Sequence, residues 1–532
     1  MPKPALRLPM RRPSSFASIV LAVGISFAAG RLPAQSPAPI DPLTQRVRAW
    51  RVAHALPILE EFAGLLALPN QASDSVNIRR NAAAIQAMYE RRGVSTRLLE
   101  APGSPPVVFG EKKTPGATRT ILIYVHYDGQ PVRPAEWTMK AYEPQVLAGR
   151  LEDKAEKRTL VEAAKPENEL WRLYARSASD DKAPVVALAA ALDALAASNT
   201  KIPANLKFFF EGEEEAGSMH LKDMLTRHKA LLGADLILFF DGPRHQSGVR
   251  QVVYGVRGSF DVEITAYGPA RPLHSGHYGN WAPNPAVRLA HFLGTLRDDD
   301  GKILIPGYYD DVRAITPAER AALATVPSAD AKLRDELLLA ATEAGNASLS
   351  ERIMLPALNL RGFVAGGVGA GATNAVPSVA RASIDFRLVP NQTPDHVREL
   401  FEKHAVAEGW TLVHDSVEAT APLRRAKDKV MWLHWLDGYA AQRTPLDHPM
   451  GRDVTRIVER AGGERVAIVP TLGGSAPLVI FEQVLGIPII NVPIANYDNS
   501  QHAPNENIRL KEFWEGIEVY AALMARLGAP VP

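Results

Sequence analysis

The sequence predicts an α/β fold, a domain with a mostly parallel sheet that carries an α+β insert in its middle. Three observations predict it. Short, continuously apolar runs alternate with helical patterns at both ends of the chain, as in a sheet covered on both faces. The middle instead shows apolar–polar alternation, the mark of strands exposed on one face. At 532 residues the chain also exceeds what one core usually supports, so two domains are expected.

In chain order, residues 1–34 read as a cleaved signal peptide. Lys3, Arg7, Arg11 and Arg12 precede an apolar stretch over 16–30, and Ala34 offers a small residue at a cleavage point. That stretch is shorter than the roughly 20 residues of a membrane span. The expected location is therefore exported, periplasmic or secreted, with no stable membrane insertion after cleavage. Helical patterns follow over 43–68, broken near Pro57, and over 76–92, ended by Gly93. The runs 121–125, 206–210 and 236–240 read as buried strands, and 184–197 as an Ala/Leu-rich helix with Pro184 near its start. In the middle, 260–267 and 380–388 alternate as strands, with helices over 285–296 and 394–404. Residues 152–170 form a polar excursion, and the Ala-rich 316–350 is helical. The run 487–494 returns as a strand of the first sheet. The expected division is 1–34, 42–253 (main domain, first part), 254–413 (insert) and 414–532 (main domain, second part).

Composition narrows the chemistry. A formal net charge of +2, with no basic run flanked by aromatics, gives no field for nucleic acid or an anionic membrane. The absence of cysteine rules out disulfides, iron–sulfur clusters and thiolate zinc, so a metal would be held by His and carboxylate alone.

Such residues gather at strand ends. His126 and Asp128 follow one apolar run in VHYDGQPV, Glu213, Glu214 and Glu215 another in FFFEGEEEAGS, and Asp241 a third in LFFDGP. Asp180 precedes a helix in RSASDDKAP, and His502 lies in NSQHAPNEN after the last run. The crevice beyond the carboxyl ends of parallel strands is where sites form, and imidazole with carboxylates suits divalent cations. Singly each signal has a plain reading: a surface histidine, a solvated acidic turn, or an N-cap for Asp180 and Asp181. Their order and their shared placement carry the reading.

In that order the motifs HYDGQPV, SASDDKAP, EGEEEAGS, FFDGP, LHSGHYG and QHAPNEN resemble the two-zinc metallopeptidase family of carboxypeptidase G, aminoacylase, succinyl-diaminopimelate desuccinylase and the carnosine-type dipeptidases. DGKILIPGYYDDV, FRLVPNQTP and TLGGSAP place it nearest the dipeptidase branch. The resemblance implies a zinc-exopeptidase-like catalytic domain with an inserted lid and dimerisation domain. It also implies two Zn2+ per subunit, with Mn2+ or Co2+ suitable for the same ligands. His126 and Asp241 would hold one metal, Glu215 and His502 the other, and Asp180 would bridge. Asp128 would accept a hydrogen bond from the His126 ring, Glu214 would be the general base, and Glu213 would face solvent. In the lid, His274 would reach across a homodimer to the scissile carbonyl. Arg387, with Gly473, Gly474 and Ser475, would hold a substrate carboxylate. In the family, aminopeptidases and dipeptidases tend to carry Asp at the position of Asp241, and deacylases and carboxypeptidases Glu, so the resemblance favours a dipeptidase-like enzyme.

The bridging segment departs from the family's GRGxxDxKG. Ala175, Ser177 and Ala183 stand where glycines are expected, so any left-handed torsion there would be strained. The implied activity is hydrolysis of dipeptides or short peptides by metal-activated water, with a small peptide as partner. Two alternatives stay open: a deacylase of N-acyl amino acids, and a non-catalytic metal-binding protein on the same scaffold.

Overall fold

The structure is a computed structural model that describes residues 40–345, 347–414 and 420–529. The expected signal peptide lies outside them. Among the described residues no helix is long and apolar enough to cross a membrane.

An eight-stranded sheet forms the larger core, in the order Ser95–Leu99, Val107–Lys112, Asn205–Glu211, Thr120–His126, Leu236–Phe239, Ile489–Asn491, Gln251–Val253 and Ala467–Val469. Four of its seven pairings are parallel, as expected, and three are antiparallel. The centre is parallel, since Thr120–His126 runs alongside both Asn205–Glu211 and Leu236–Phe239. The first two strands are antiparallel. That parallel centre brings three carboxyl ends to one edge, with His126 in register with Glu211.

The continuous apolar runs exist because both faces of this sheet are covered. Ile121, Ile123, Val125, Phe208, Phe210 and Leu238 point to one side, packed with the helices Lys182–Ala197 and Leu510–Arg526. Leu122, Tyr124, Phe209, Ile237 and Phe239 point to the other, against Leu221–Arg227 and Leu478–Leu485. Alternate residues of a strand face opposite sides, so three consecutive phenylalanines serve two cores. Truncating Phe209 to Ala would cost about 3–5 kcal/mol. The expected helix over 43–68 is two, Pro42–Ala53 and Ala55–Leu66, parted at His54. The second ends against Lys182, whose fully buried ammonium donates to the carbonyls of Leu65 (2.9 Å) and Leu68 (3.0 Å). Leu65 lies in the last turn of that helix, and its carbonyl also accepts from Leu68 N at 3.3 Å.

A second sheet holds Ala357–Val364, Val379–Leu388, Gly255–Tyr267, Val430–Trp435 and Thr411–Val413. The helices Pro285–Gly294 and Pro394–Ala407 cover one face through Leu289, Phe292, Val397 and Phe401. This is the α+β pattern that the alternation predicts. The expected boundary at 413 falls between two strands, Thr411–Val413 and Val430–Trp435, that pair in parallel. The long strand Gly255–Tyr267 also pairs with Gln442–Arg443 and Leu472–Ser475, which places Gly473, Gly474 and Ser475 beside the second sheet. The Ala-rich 316–350 is less regular than expected, with helices Pro317–Thr325, Asp330–Glu336 and Leu349–Ile353.

Candidate metal centre

His126 is the last residue of its strand and is fully buried. Its Nε2 lies 2.9 Å from Asp180 Oδ1 and 4.0 Å from Asp241 Oδ2. Asp180's second oxygen, Oδ2, lies 3.1 Å from His502 Nε2, which in turn is 3.3 Å from Glu215 Oε2. The ligand atoms therefore fall into two groups, His126–Asp180–Asp241 and Asp180–Glu215–His502, each within 4.8 Å, with Asp180 common to both.

Backbone geometry sets these positions. Asp180 stands just ahead of the helix Lys182–Ala197, and its peptide bond to Asp181 is cis. The single turn Glu214–Ala216 holds Glu214 and Glu215 and ends at Gly217, whose φ of +93° suits a residue without Cβ. Its first N–H groups would otherwise lack partners. Asp128 takes both, accepting from Glu214 N and Glu215 N at 3.0 Å each. Asp128 Oδ1 is also 3.4 Å from His126 Nδ1, long for a hydrogen bond. Asp128 thus fixes the glutamate turn as well as facing the His126 ring, a task the motif alone did not reveal.

Electrostatics favour a cation. Burial lifts Glu214 well above the ordinary carboxylate range, and Asp241 and Glu215 add repulsion. Burial and the charge of Asp180 likewise raise Glu215 and Asp241. Burial opposes charge on His126, but Asp128 and Asp180 outweigh it and raise its pKa. A hydrogen bond to Asp180 raises His502. Crowded carboxylates with two imidazoles and no thiolate are the donor set of hard or borderline divalent ions, so these residues fit a two-metal centre.

The same cavity, about 430 Å³, is lined by Asp180, Glu214, Asp241 and His502 on one side and by Arg387, Gly473, Gly474 and Ser475 on the other. Arg387 donates to Ser475 Oγ (2.9 Å) and to Asp385 (3.1 Å). His274 does not join them. It is exposed, with Nδ1 accepting from Gly276 N at 3.1 Å and its ring tilted 37° against that of His277. Glu213 differs from expectation: it is buried rather than solvent-facing, because His220 takes its carboxylate at 2.8 Å.

Several residues escaped sequence reasoning. Gln130 donates to Glu215 Oε2 at 2.7 Å and Gln501 to Asp180 Oδ2 at 3.2 Å. Buried Glu506 accepts from the backbone of Ser177, Ser179 and Asp180. All three lie inside or beside quoted motifs, but only their burial and partners separate them from loop polar residues. Of the three departures from glycine, only Ser177 is left-handed, at φ +61°.

Residues 122–526 match Peptidase family M20/M25/M40. The chain belongs to that family. It is 27% identical over 458 residues to the Cys-Gly metallodipeptidase of Schizosaccharomyces pombe, covering 84% of this chain and 88% of that one. It is 25% identical over 434 residues to the human Beta-Ala-His dipeptidase, covering 80% and 78%. Among solved structures it is similar to an M20 family metallo-carboxypeptidase from Sulfolobus solfataricus, with a TM-score of 0.72, 28% identity, and 88% and 98% coverage. The chain is thus an enzyme of a metallopeptidase family, on its dipeptidase branch, and that family includes dinuclear metal-binding peptidases.

These relatives also overturn one expectation. The likeness to the Cys-Gly and Beta-Ala-His dipeptidases gives export no support, and the family match begins at 122, well beyond the residues from which export was read. An exported, periplasmic or secreted location is withdrawn.

Proposed function

We propose that the chain is a two-metal dipeptidase, hydrolysing dipeptides or short peptides at the cavity between the two sheets. The observation that carries this is Asp180: one carboxylate oxygen faces His126 at 2.9 Å and the other faces His502 at 3.1 Å. A carboxylate that presents each oxygen to a separate ligand group is placed to be shared by two cations.

His126 and Asp241 would hold one cation, Glu215 and His502 the other, with zinc the expected metal and manganese or cobalt suitable. When bound, such a pair brings water within reach of deprotonation near neutral pH and polarises a carbonyl. Glu214, lining the cavity without being part of either ligand group, takes the water's proton and passes it to the leaving amine. Arg387 and the Gly473–Ser475 backbone receive the substrate carboxylate on the opposite wall of the cavity. His274 lies on the surface of the proposed lid, residues 254–413, and would act on the scissile carbonyl of a partner subunit in a homodimer.

The test is metal analysis of the purified protein combined with a panel of free dipeptides beside N-acetyl and N-succinyl amino acids. Two metals per chain and turnover of free dipeptides support the proposal. Preference for acylated amino acids would make it a deacylase, and a metal-loaded chain inert on the whole panel would make it a binding protein.

A further inference from the structure

The segment that departs from its family is held by one buried carboxylate that no part of the proposed chemistry uses. Glu506 is 1% exposed and accepts five hydrogen bonds. Its Oε1 accepts from Ser179 N (2.9 Å), Ser179 Oγ (2.8 Å) and Asp180 N (2.9 Å). Its Oε2 accepts from Arg176 Nη1 (2.9 Å) and Ser177 N (2.8 Å). A carboxylate offers about four lone-pair sites, so this one is saturated and has nothing left for a metal. Its charge is met by Arg176, itself buried and set over the Trp137 ring.

Two consequences follow from where these bonds lie. The N–H groups of 177, 179 and 180 converge on one point, forming a backbone concavity that binds an anion. Here the anion is a side chain of the protein itself. Glu506 also sits on the loop that carries His502, and its own carbonyl accepts from Ala175 N at 3.1 Å. One residue therefore ties the loop bearing Asp180 to the loop bearing His502.

We infer that Glu506 is a positioning residue, which fixes the Asp180 carboxylate between the two ligand groups in a segment where glycines have given way to Ala175, Ser177 and Ala183. The inference rests on the two-metal reading. Glu506→Gln cannot replace it, because either orientation of the amide turns an NH2 group toward donors.

The test uses Mn2+ alone as the probe, read by calorimetry and by electron paramagnetic resonance. Wild type is expected to bind two Mn2+ per chain with an exchange-coupled spectrum, since one carboxylate joins them. Glu506→Gln is expected to lose about 10- to 100-fold in Mn2+ affinity and to show isolated rather than coupled Mn2+ signals. Glu518→Gln serves as a structural control: that carboxylate is equally buried and paired with Arg48 and Arg51, away from the site. It should lose stability while keeping affinity and coupling. Should Glu506→Gln fail to fold, Ser179→Ala removes only the hydroxyl bond and should weaken Mn2+ binding about fivefold. A Glu506→Gln or Ser179→Ala chain with wild-type affinity and coupling would overturn the inference, as would a Glu518→Gln chain that loses both. A wild type that binds no Mn2+ pair would instead sink the two-metal reading itself.

Discussion

Asp128 Oδ1 accepts the backbone N–H of Glu214 at 3.0 Å. The bond makes the proposed base and the His126 loop one rigid unit, because Asp128 stands two residues after His126 and its other oxygen holds Glu215 N. Asp128→Asn would turn an NH2 group toward one of those two N–H donors. The expected result is a folded chain with kcat down about 10- to 100-fold and weaker metal binding, as for other groups that orient ligands. Kinetics and metal titration on the same preparation check it.

Glu214→Gln keeps the shape of the side chain and removes its proton traffic. It should retain both metals and lose almost all turnover, a fall of at least about 10²-fold if general base catalysis is its task. A fully active variant would rule out the assigned base.

Arg387 and Ser475 face the metal ligands across the cavity. Arg387→Ala should raise KM for free dipeptides and leave dipeptide amides, which lack the carboxylate, nearly unchanged. Equal effects on both substrate types would remove Arg387 from substrate recognition.

Ser177 carries both a cost and a gain. Its φ of +61° strains a residue with a Cβ, while its hydroxyl accepts from Asn70 Nδ2 at 2.9 Å. A Cβ on Gly129 would stand 2.3 Å from that hydroxyl, so the two loops meet in a close fit. Ser177→Ala keeps the strain and loses the bond, and should cost about 1 kcal/mol. Ser177→Gly loses both, and should lie within about 1 kcal/mol of wild type. Urea denaturation of the three proteins compares them directly.

The pH dependence of the metal-free chain has a definite sign. Burial raises Glu215 to about 8 and Asp241 to about 6, so from about pH 4 upward the folded chain holds protons that the unfolded chain releases. Stability then falls as pH rises, most between about pH 4 and 8. Cations replace those protons, so stabilisation by added Zn2+ should grow from pH 5 to pH 8. Melting curves with and without chelator test this, and a metal effect that shrinks with rising pH would contradict it.

The centre of the fold was legible because both-face burial writes itself as unbroken apolar runs, as in 121–125 and 206–210. The edge strands Ser95–Leu99 and Ala357–Val364 were not. Their exposed residues leave no such run, and their place is set by pairing with distant neighbours. The candidate ligands were legible by type, by strand-end position for His126, Glu215 and Asp241, and by motif for Asp180 and His502, and the five meet in two groups in space. Glu506 and Gln130 stayed hidden because an acceptor for backbone N–H groups and an amide donor have no spacing signature. Glu213 was misjudged for the same reason: His220, seven residues on, buries it.

Anomalous diffraction from crystals grown with Zn2+ tests the central claim most directly. The account predicts two peaks per chain, about 3.5–4 Å apart, one beside His126 and Asp241 and one beside Glu215 and His502, with Asp180 between them. A single peak, or a pair that leaves Asp180 uncoordinated, would contradict it.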